Sequence, residues 1–393
     1  MLRRRIAMSL SVKLKSLFIL CLLLWLPTQI ATSAPPKISA ESAILIDAKT
    51  GTILYEKNSR TRRAPASTTK VLTAIIAIES GHLDDEVTVS LRAAGTAGSS
   101  MHLNPGQRIL LRELVTGLLL RSGNDAAVAI AEHLAGSVEN FVSIMNHKAA
   151  LLGALESHFA NPHGLTAPLH YSTAFDLAWI TKYALTSPIF ATIVNTRETN
   201  IDWLDRRGKE HDQNLRNTNK LLWLLEEVDG VKTGTTNQAG PCLISSATRG
   251  NQQLISVVLH DHSRWNDSMQ LLNFGFATYE LYEYANKDDI ICAIPIEKGL
   301  SSMVDAVVDS QASLVVKADD YQYITVAVDL PEKIKAPVYQ GQKIGEIVFF
   351  VRELPVKTVN INASQTIDEH TNTRTFLHYL LRTFHRLANW GVL

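Results

Sequence analysis

A serine and a lysine three positions apart, Ser67 and Lys70, open the apolar stretch VLTAIIAIE. A serine hydroxyl is a weak nucleophile at its own pKa and needs a base within hydrogen-bond reach. Positions three apart share one face of a helix, so this spacing directs the lysine amine at the serine oxygen. To act as a base near neutral pH, the lysine needs a pKa about 3 below the reference value of ~10.4, which burial and neighbouring cations provide. Taken alone, the pair is compatible with nucleophilic catalysis, but a solvated lysine at a helix start is the default interpretation.

Two further short motifs carry side chains of the type that such chemistry needs. Ser122-Gly123-Asn124 interrupts two apolar helical segments, and a hydroxyl and a carboxamide on a tight turn suit proton relay and amide recognition. Its alternative is a turn that caps a helix. Lys232-Thr233-Gly234 leads a strand, whose edge can pair with a substrate backbone while the lysine and threonine hold a carboxylate. The glycine lets a substrate approach closely.

A second K-T-G, Lys49-Thr50-Gly51, lies between two strand-like segments. A glycine is expected at a hairpin tip because the turn needs a positive φ. We therefore predict that this copy is a turn and that the copy at residue 232 belongs to the site.

The three motifs S-x-x-K, S-x-N and K-T-G follow one another at separations of 55 residues (67 to 122) and 110 residues (122 to 232). In this order they resemble the motif set of the serine penicillin-binding proteins and β-lactamases. Within that superfamily the chain is similar to the low-molecular-mass D-alanyl-D-alanine carboxypeptidases. The similarity extends from about residue 38 to the C-terminus and is carried by PASTTK, SGNDAA, NPHGL (161–165), DGVKTGTT and KAPVYQGQKIGEI (335–347).

The resemblance implies a role for each residue of the first two motifs. Ser67 is the nucleophile that becomes acylated, and Lys70 is the base that takes its proton. Ser122 relays a proton toward the leaving D-alanine, and Asn124 binds the substrate amide. His163 of NPHGL is expected to be structural.

The resemblance also implies how the third motif binds the substrate. Lys232 and Thr233 hold the terminal carboxylate beside Gly234, and the backbone N–H groups of Ser67 and Thr235 form the oxyanion hole. Arg264 matches a basic position that often helps to bind the carboxylate, with a solvated arginine as the alternative. No metal or organic cofactor is implied.

These roles predict an extracytoplasmic carboxypeptidase that removes the terminal D-alanine from peptidoglycan stem pentapeptides through an acyl-enzyme on Ser67. Class A β-lactamases carry an E-x-x-N whose glutamate drives deacylation, and none occurs between Ser122 and Lys232. A penicilloyl-enzyme should therefore persist, which makes β-lactams inhibitors. The alternatives are a weak serine β-lactamase and a penicillin-binding wall sensor that no longer turns over.

The order of secondary-structure patterns indicates how these motifs are positioned. A strand hairpin at 42–58 is followed by a block of helices, by strands near 229–236, 242–248 and 253–260, and by an amphipathic helix over 265–285. Hairpins predict an antiparallel sheet, which the helices must cover, so the fold class is α/β. We predict a catalytic domain at 38–287, a small all-β domain at 288–366 and an amphipathic helix at 372–393.

Composition and the N-terminal segment restrict the class of protein and its location. Lys+Arg and Asp+Glu balance at 38 each, which argues against a nucleic-acid partner. A basic start, an apolar run over 17–26 and small residues near 31–34 predict a signal peptide over 1–34, with an uncleaved anchor as the alternative. Cys242 and Cys292 are expected to be buried and unpaired, and they form no zinc pattern.

The last twenty residues, 374–393, predict a basic amphipathic helix on a membrane surface. Arginine and histidine side chains share one side, and the apolar side carries Phe376, Leu377, Leu380, Leu381, Phe384, Leu387, Ala388 and Trp390. The alternative is a helix packed on the all-β domain. The sequence therefore predicts attachment to the outer face of the cytoplasmic membrane.

Overall fold

The structure is a computed structural model that describes residues 34–370. The predicted signal peptide before Ala34 and the predicted helix at 372–393 lie outside the described residues. Among residues 34–370, no single helix has both the length and the apolar composition needed to cross a bilayer, although two helices bent by 110° meet that test as a pair, Ala174–Ala184 and Pro188–Asn195.

The first part of the chain alternates strands and helices. Its strands are β1 (Ser42–Asp47), β2 (Ile53–Lys57), β3 (Glu86–Thr88), β4 (Arg108–Leu110), β5 (Glu198–Leu204), β6 (Glu210–Arg216), β7 (Val228–Thr236), β8 (Gly240–Arg249) and β9 (Gln252–Leu259). Its helices are α1 (Lys70–Glu79), α2 (Leu91–Ala94), α3 (Leu111–Leu120), α4 (Asn124–Ala135), α5 (Val138–Leu151), α6 (Ala174–Ala184), α7 (Pro188–Asn195), α8 (Leu221–Leu224) and α9 (Arg264–Thr278).

An antiparallel sheet in the order β2-β1-β9-β8-β7 forms the centre of this part. Strand β1 is buried along its whole length because both sheet faces are covered. Helices α6 and α9 contact this strand. Ile44 and Ile46 belong to the core cluster that includes α6, whereas Ala43 and Leu45 belong to the cluster that includes α9. This layering confirms the predicted antiparallel sheet covered by helices, and it brings the start of α1 beside β7.

The tip of the first hairpin is a turn, as predicted for Lys49-Thr50-Gly51. The Thr50 backbone N–H and hydroxyl both donate to Asp47 Oδ1, at 2.7 and 2.8 Å, and Gly51 has a φ of +75°. A smaller sheet in the order β3-β4-β5-β6 lies at a different part of the fold.

The predicted helix over 265–285 is wrong in its second half. Helix α9 ends at Thr278, and the segment YELYEYA forms β10 (Tyr279–Ala285). Its three tyrosines suit a strand. Strand β10 pairs antiparallel with β13 (Ala312–Lys317), whose residues lie 27 to 38 positions away in the sequence. That distant partner determines the structure, so local amphipathicity was misleading.

The remaining strands form the predicted C-terminal all-β region. They are β11 (Ile290–Glu297), β12 (Met303–Val308), β14 (Ile324–Asp329), β15 (Ile334–Lys335), β16 (Lys343–Val351) and β17 (Leu354–Ala363), in the sheet order β14-β16-β17-β12-β11-β15. Cys242 is buried and Cys292 is exposed, and both are free. The predicted burial of Cys292 was wrong because it lies on the solvent-facing side of β11.

Asp125 lies in the first turn of α4 but does not cap the helix. The helix has no side-chain cap at Gly123. Asp125 is fully buried in the first helical turn and accepts hydrogen bonds from the preceding loop, from Ser100 Oγ at 2.6 Å, Met101 N at 2.9 Å and Leu103 N at 3.2 Å. It therefore fixes the loop at 100–103 against the helix that carries Asn124.

Candidate active site

The lysine of the first motif lies at the junction of a short 3-10 turn, Ala66–Thr69, and α1. Lys70 has no exposed surface, and its Nζ lies 3.0 Å from Ser67 Oγ. Nζ also donates to Asn124 Oδ1 and to the carbonyl oxygen of His163, both at 2.6 Å. The predicted contact between Ser67 and Lys70 is present, although its first turn is 3-10 rather than α-helical.

These three contacts are compatible with a neutral amine as well as with an ammonium. An uncharged lysine has two N–H donors and one lone pair, whereas an ammonium has three donors. The amide oxygen and the carbonyl oxygen can only accept, but the Ser67 hydroxyl can donate. A neutral Lys70 can thus donate twice and accept the proton of Ser67 at the third position.

Burial lowers the pKa of Lys70 well below its usual value, and the charge of Lys232 lowers it further, while Asp125 opposes the shift. Desolvation disfavours an ammonium, and a like charge adds to that effect. Both causes of the expected shift, burial and a neighbouring cation, are therefore present around Lys70.

The second motif turns the chain between α3 and α4. Ser122 has a φ of +64°, is 6% exposed, and its hydroxyl has no hydrogen-bond partner among residues 34–370. The Asn124 carboxamide is engaged at both ends, since Oδ1 accepts from Lys70 and Nδ2 donates to the Ala97 carbonyl at 2.6 Å. Asn124 thus holds the lysine amine in place, a contact that its predicted role in amide recognition does not include.

The third motif lies on β7 and concentrates positive charge. Lys232 is 1% exposed and its Nζ donates only to the Thr233 carbonyl, at 3.2 Å, among the described residues. Burial, followed by the charge of Arg264, lowers the pKa of Lys232 to about 7. A buried cation of this kind is stabilised by an arriving anion. The arrangement suits the recognition of a carboxylate.

Arg264, at the start of α9, is fixed on this strand and is not simply solvated. Its Nη1 donates to the Gly234 carbonyl at 2.9 Å, to Thr235 Oγ1 at 3.0 Å and to the Cys242 carbonyl at 3.2 Å. The Thr233 hydroxyl lies 3.0 Å from that of Thr218. All four predicted positions, 232–235, and Arg264 therefore belong to one cluster.

Two glycines enclose the backbone around Ser67. A Cβ added at Gly234 would lie 2.9 Å from the Ser67 backbone nitrogen, closer than real Cβ atoms approach. A Cβ at Gly164, which has a φ of +90°, would overlap the Ala66 carbonyl. Strand β7 and the NPHGL loop thus contact the segment of the predicted nucleophile from two sides.

The NPHGL loop supplies a contact that residue types could not reveal. The carbonyl of His163, not its ring, accepts from Lys70, and the Pro162 carbonyl accepts from Thr73 Oγ1 at 2.7 Å. Asn161 Oδ1 closes the loop by accepting from the Gly164 N–H at 2.7 Å. Any residue has a carbonyl, so only the resemblance of the loop hinted at its importance.

A buried histidine behind the site provides a test of this packing. His170 Nδ1 accepts from the Ala160 N–H at 3.0 Å, and Nε2 lies 3.0 Å from Thr69 Oγ1, just before Lys70. Burial, with smaller effects from His158 and Lys70, lowers the pKa of His170 to about 4. At pH values between about 4 and 6.5, this ring is therefore neutral in the folded protein and protonated in the unfolded chain.

We expect the free energy of unfolding to fall as pH falls through the window from 6.5 to about 4. In this window the unfolded chain binds a proton that the folded chain does not, so acid favours unfolding. His170 alone should remove about 2 kcal/mol between about pH 7.5 and about pH 5. Urea unfolding at both pH values measures this loss in the free energy of unfolding. The His170→Asn variant should lose that part of the pH dependence, and replacing the exposed His147 should not; an equal pH dependence in all three proteins would contradict the assignment.

Among residues 34–370 there is no group of three or more histidine, cysteine or acidic side chains placed to hold a metal ion. The residues around Ser67 are a buried lysine amine, hydroxyls and cations. Chemically, this set can activate a serine, hold an anionic substrate end and supply protons.

Two sequence families match this chain. The family described as D-alanyl-D-alanine carboxypeptidase matches residues 28–263, and the one described as penicillin-binding protein 5, C-terminal domain, matches residues 279–369. The D-alanyl-D-alanine carboxypeptidase DacF of Bacillus subtilis is 36% identical over 318 residues, which cover 79% of this chain and 81% of the relative. DacC of Escherichia coli is 32% identical over 392 residues, with 94% and 95% coverage.

Solved structures give the same result. Penicillin-binding protein 5 from Haemophilus influenzae superposes with a TM-score of 0.73 at 30% identity and covers 86% of this chain and 100% of its own. A variant of the Streptomyces K15 DD-transpeptidase has a TM-score of 0.60 at 33% identity and covers 62% of this chain and 99% of its own.

Proposed function

This chain belongs to the D-alanyl-D-alanine carboxypeptidase family and is a serine-type D-alanyl-D-alanine carboxypeptidase, and we propose that it acts through an acyl-enzyme on Ser67. The observation that carries this proposal is the 3.0 Å contact between Ser67 Oγ and the buried Nζ of Lys70. The low pKa of that lysine lets it accept a proton, which a solvated lysine could not do at neutral pH.

In the proposed reaction, Ser67 Oγ attacks the carbonyl of the penultimate D-alanine while Lys70 takes the hydroxyl proton. Backbone N–H groups of Ser67 and Thr235 stabilise the oxyanion. The hydroxyl of Ser122, which has no partner among residues 34–370, passes its proton to the amine of the leaving D-alanine and receives the proton of Lys70 in return, which restores the neutral amine. Water then hydrolyses the ester and frees the shortened peptide. Asn124 keeps the amine of Lys70 in position and faces the substrate amide.

The terminal carboxylate is held by Lys232 and Thr233, with Arg264 supporting the strand beneath Gly234 and Thr235. A bound carboxylate favours the ammonium form, so it raises the pKa of Lys232 above the value of about 7 in the free enzyme. Substrate binding and protonation of Lys232 are therefore coupled. This coupling explains why the cation is buried without an acidic partner.

The direct test is to incubate the protein with diacetyl-Lys-D-Ala-D-Ala and to assay free D-alanine. We expect one D-alanine per peptide and a dipeptide product that still carries one D-alanine. Covalent labelling by penicillin without release of D-alanine would support a wall sensor instead. Rapid hydrolysis of penicillin would support a β-lactamase, which the missing E-x-x-N between the second and third motifs disfavours.

We propose that the enzyme is exported by the segment 1–34 and works on peptidoglycan stem pentapeptides outside the cytoplasm. The basic start and the apolar run over 17–26 support export. We further propose a catalytic domain at 38–287 and a β domain at 288–366. The basic amphipathic pattern of 374–393 supports attachment to the outer face of the cytoplasmic membrane.

A chain ending at Asp368 should remain in the supernatant with anionic liposomes and keep full activity on small peptides, whereas the full mature chain should sediment with the liposomes. Apolar burial and attraction of about 1 kcal/mol per nearby basic residue would bind the tail. High salt should weaken the binding because it screens the charges. Equal amounts of both proteins in the supernatant would exclude an anchor. Loss of activity or unfolding of the shorter chain would make the tail part of the folded core.

A further inference from the structure

A cavity of about 420 Å³ lies next to the active site, with walls that include Arg62, Ala64, Tyr171 and Gln238. We propose that this cavity receives a carboxylate group of the acyl donor, located two or three residues before the scissile bond, and that Arg62 binds it. This inference rests on the proposed function, because it assigns the upstream part of the same substrate.

Two residues that line the cavity are close in sequence to residues of the active site. Ala64 precedes Ser67 by three residues, and Gln238 follows Thr235 by three residues. Because consecutive Cα atoms are 3.8 Å apart, each wall lies within about 11 Å of its active-site residue. Two extended residues span about 7 Å. A donor bound at Ser67 can therefore place its second or third upstream residue in the cavity.

The direction of β7 leads the donor toward this cavity. The substrate carboxylate is assigned to Lys232 and Thr233, and the scissile carbonyl oxygen to the N–H of Thr235. The upstream part must then continue past Thr236 toward Gln238, which lines the cavity. The hydroxyls of Thr166 and Thr236, 3.4 Å apart, lie on this path between the site and the cavity.

The charges around the cavity are balanced except at Arg62. Arg63 forms an ion pair with Glu41 at 2.5 Å, and Glu41 also lies 3.4 Å from His260 Nε2. Arg62 is exposed, and no carboxylate partner accompanies it within residues 34–370.

The guanidinium of Arg62 is also oriented in advance. Its Cζ lies over the Tyr171 ring, 4.8 Å from the ring centre, and this cation–π contact uses none of its N–H donors. A guanidinium presents paired N–H donors that match both oxygens of a carboxylate. An uncharged amide at the same place would gain only part of this interaction. The cavity therefore favours donors with a free carboxylate over otherwise identical amides.

Two peptides that differ by one group provide the test: acetyl-γ-D-glutamyl-Lys(acetyl)-D-Ala-D-Ala with a free α-carboxylate, and the same peptide with that carboxylate amidated. The full mature chain should have a kcat/KM about fivefold higher for the carboxylate peptide, as expected for one solvent-accessible charge pair. The preference should arise mainly from KM and should weaken in high salt.

Replacing Arg62 should change the preference for the carboxylate peptide over the amide peptide. In Arg62→Gln the ratio of the two kcat/KM values should fall to about one, whereas Arg62→Lys should keep part of the preference because the charge remains. The matched control is Arg60→Gln, since Arg60 lies over Phe175 and contacts Glu156 at 3.2 Å, outside the cavity walls. This control should keep the wild-type ratio.

Equal kcat/KM values for both peptides in the wild-type enzyme would overturn the proposed carboxylate subsite and leave the carboxypeptidase assignment intact. A preference that persists unchanged in Arg62→Gln would also overturn it. If the wild-type protein released D-alanine from neither peptide and bound no penicillin, the proposed function itself would fail. The two failures are therefore distinguishable in the same experiment.

Discussion

Replacing Ser67 with alanine should abolish covalent labelling by fluorescent penicillin and reduce release of D-alanine by at least ~10³-fold. The members of a catalytic unit fail together, so the remaining lysine and hydroxyls cannot compensate for a missing nucleophile. Ser67 Oγ is the hydroxyl that lies 3.0 Å from Lys70 Nζ. The measurement is gel fluorescence after labelling, together with a D-alanine assay on diacetyl-Lys-D-Ala-D-Ala.

The matched control is Ser80→Ala, at the other end of the same helical segment. Ser80 Oγ donates to the Ala77 carbonyl at 2.7 Å and is remote from the motifs in sequence. This variant should label like the wild-type protein. Normal labelling of Ser67→Ala would show that another residue is acylated.

Replacing Lys70 with arginine should be nearly as damaging as replacing it with alanine, with acylation reduced at least ~10²-fold in both variants. A guanidinium stays protonated at any working pH and cannot accept the serine proton. In the folded protein the pKa of Lys70 is well below its usual value, so the wild-type amine can accept that proton. Stopped-flow acylation by a chromogenic cephalosporin measures the rate.

A lysine that serves through its charge provides the comparison for this result. Lys148 Nζ pairs with Glu79 at 2.7 Å; burial opposes the charge, but the hydrogen bonds that Lys148 donates to Glu79 and Tyr183 raise its pKa. Lys148→Arg should acylate normally because it retains the charge. Substantial acylation by Lys70→Arg would show that Lys70 supplies charge rather than basicity. A circular-dichroism melt of each variant confirms that the protein compared is folded.

The sequence patterns correctly predicted the features that residues close together in the sequence determine. The contact between Ser67 and Lys70 follows from their spacing alone, since one turn brings them together. The turn at Lys49-Thr50-Gly51 follows from the positive φ that its glycine allows. The proximity of Asn124 and Lys232 to Lys70 could not be derived from motif separations of 55 and 110 residues, and only the resemblance supplied it.

Other features escaped the sequence because distant or backbone groups determine them. The strand at Tyr279–Ala285 depends on pairing with Ala312–Lys317, which local amphipathicity does not reveal. The backbone carbonyl of His163 accepts a hydrogen bond from Lys70, and residue type cannot predict this because every residue has a backbone carbonyl. Asp125 resembled a helix cap by position, yet it binds the loop at 100–103. In each case the partner is far away in the sequence.

The glycines on either side of the Ser67 segment bear on how drug resistance could arise. Resistance by steric shielding requires a side chain large enough to exclude a β-lactam from the serine. At Gly234 even a methyl group would press on the Ser67 backbone nitrogen, and at Gly164 it would overlap the Ala66 carbonyl. Shielding there would displace Ser67, through which we propose that the enzyme also acts on its natural peptide. Substitutions at these two glycines are therefore not a route to β-lactam resistance. Resistance substitutions must lie at other positions.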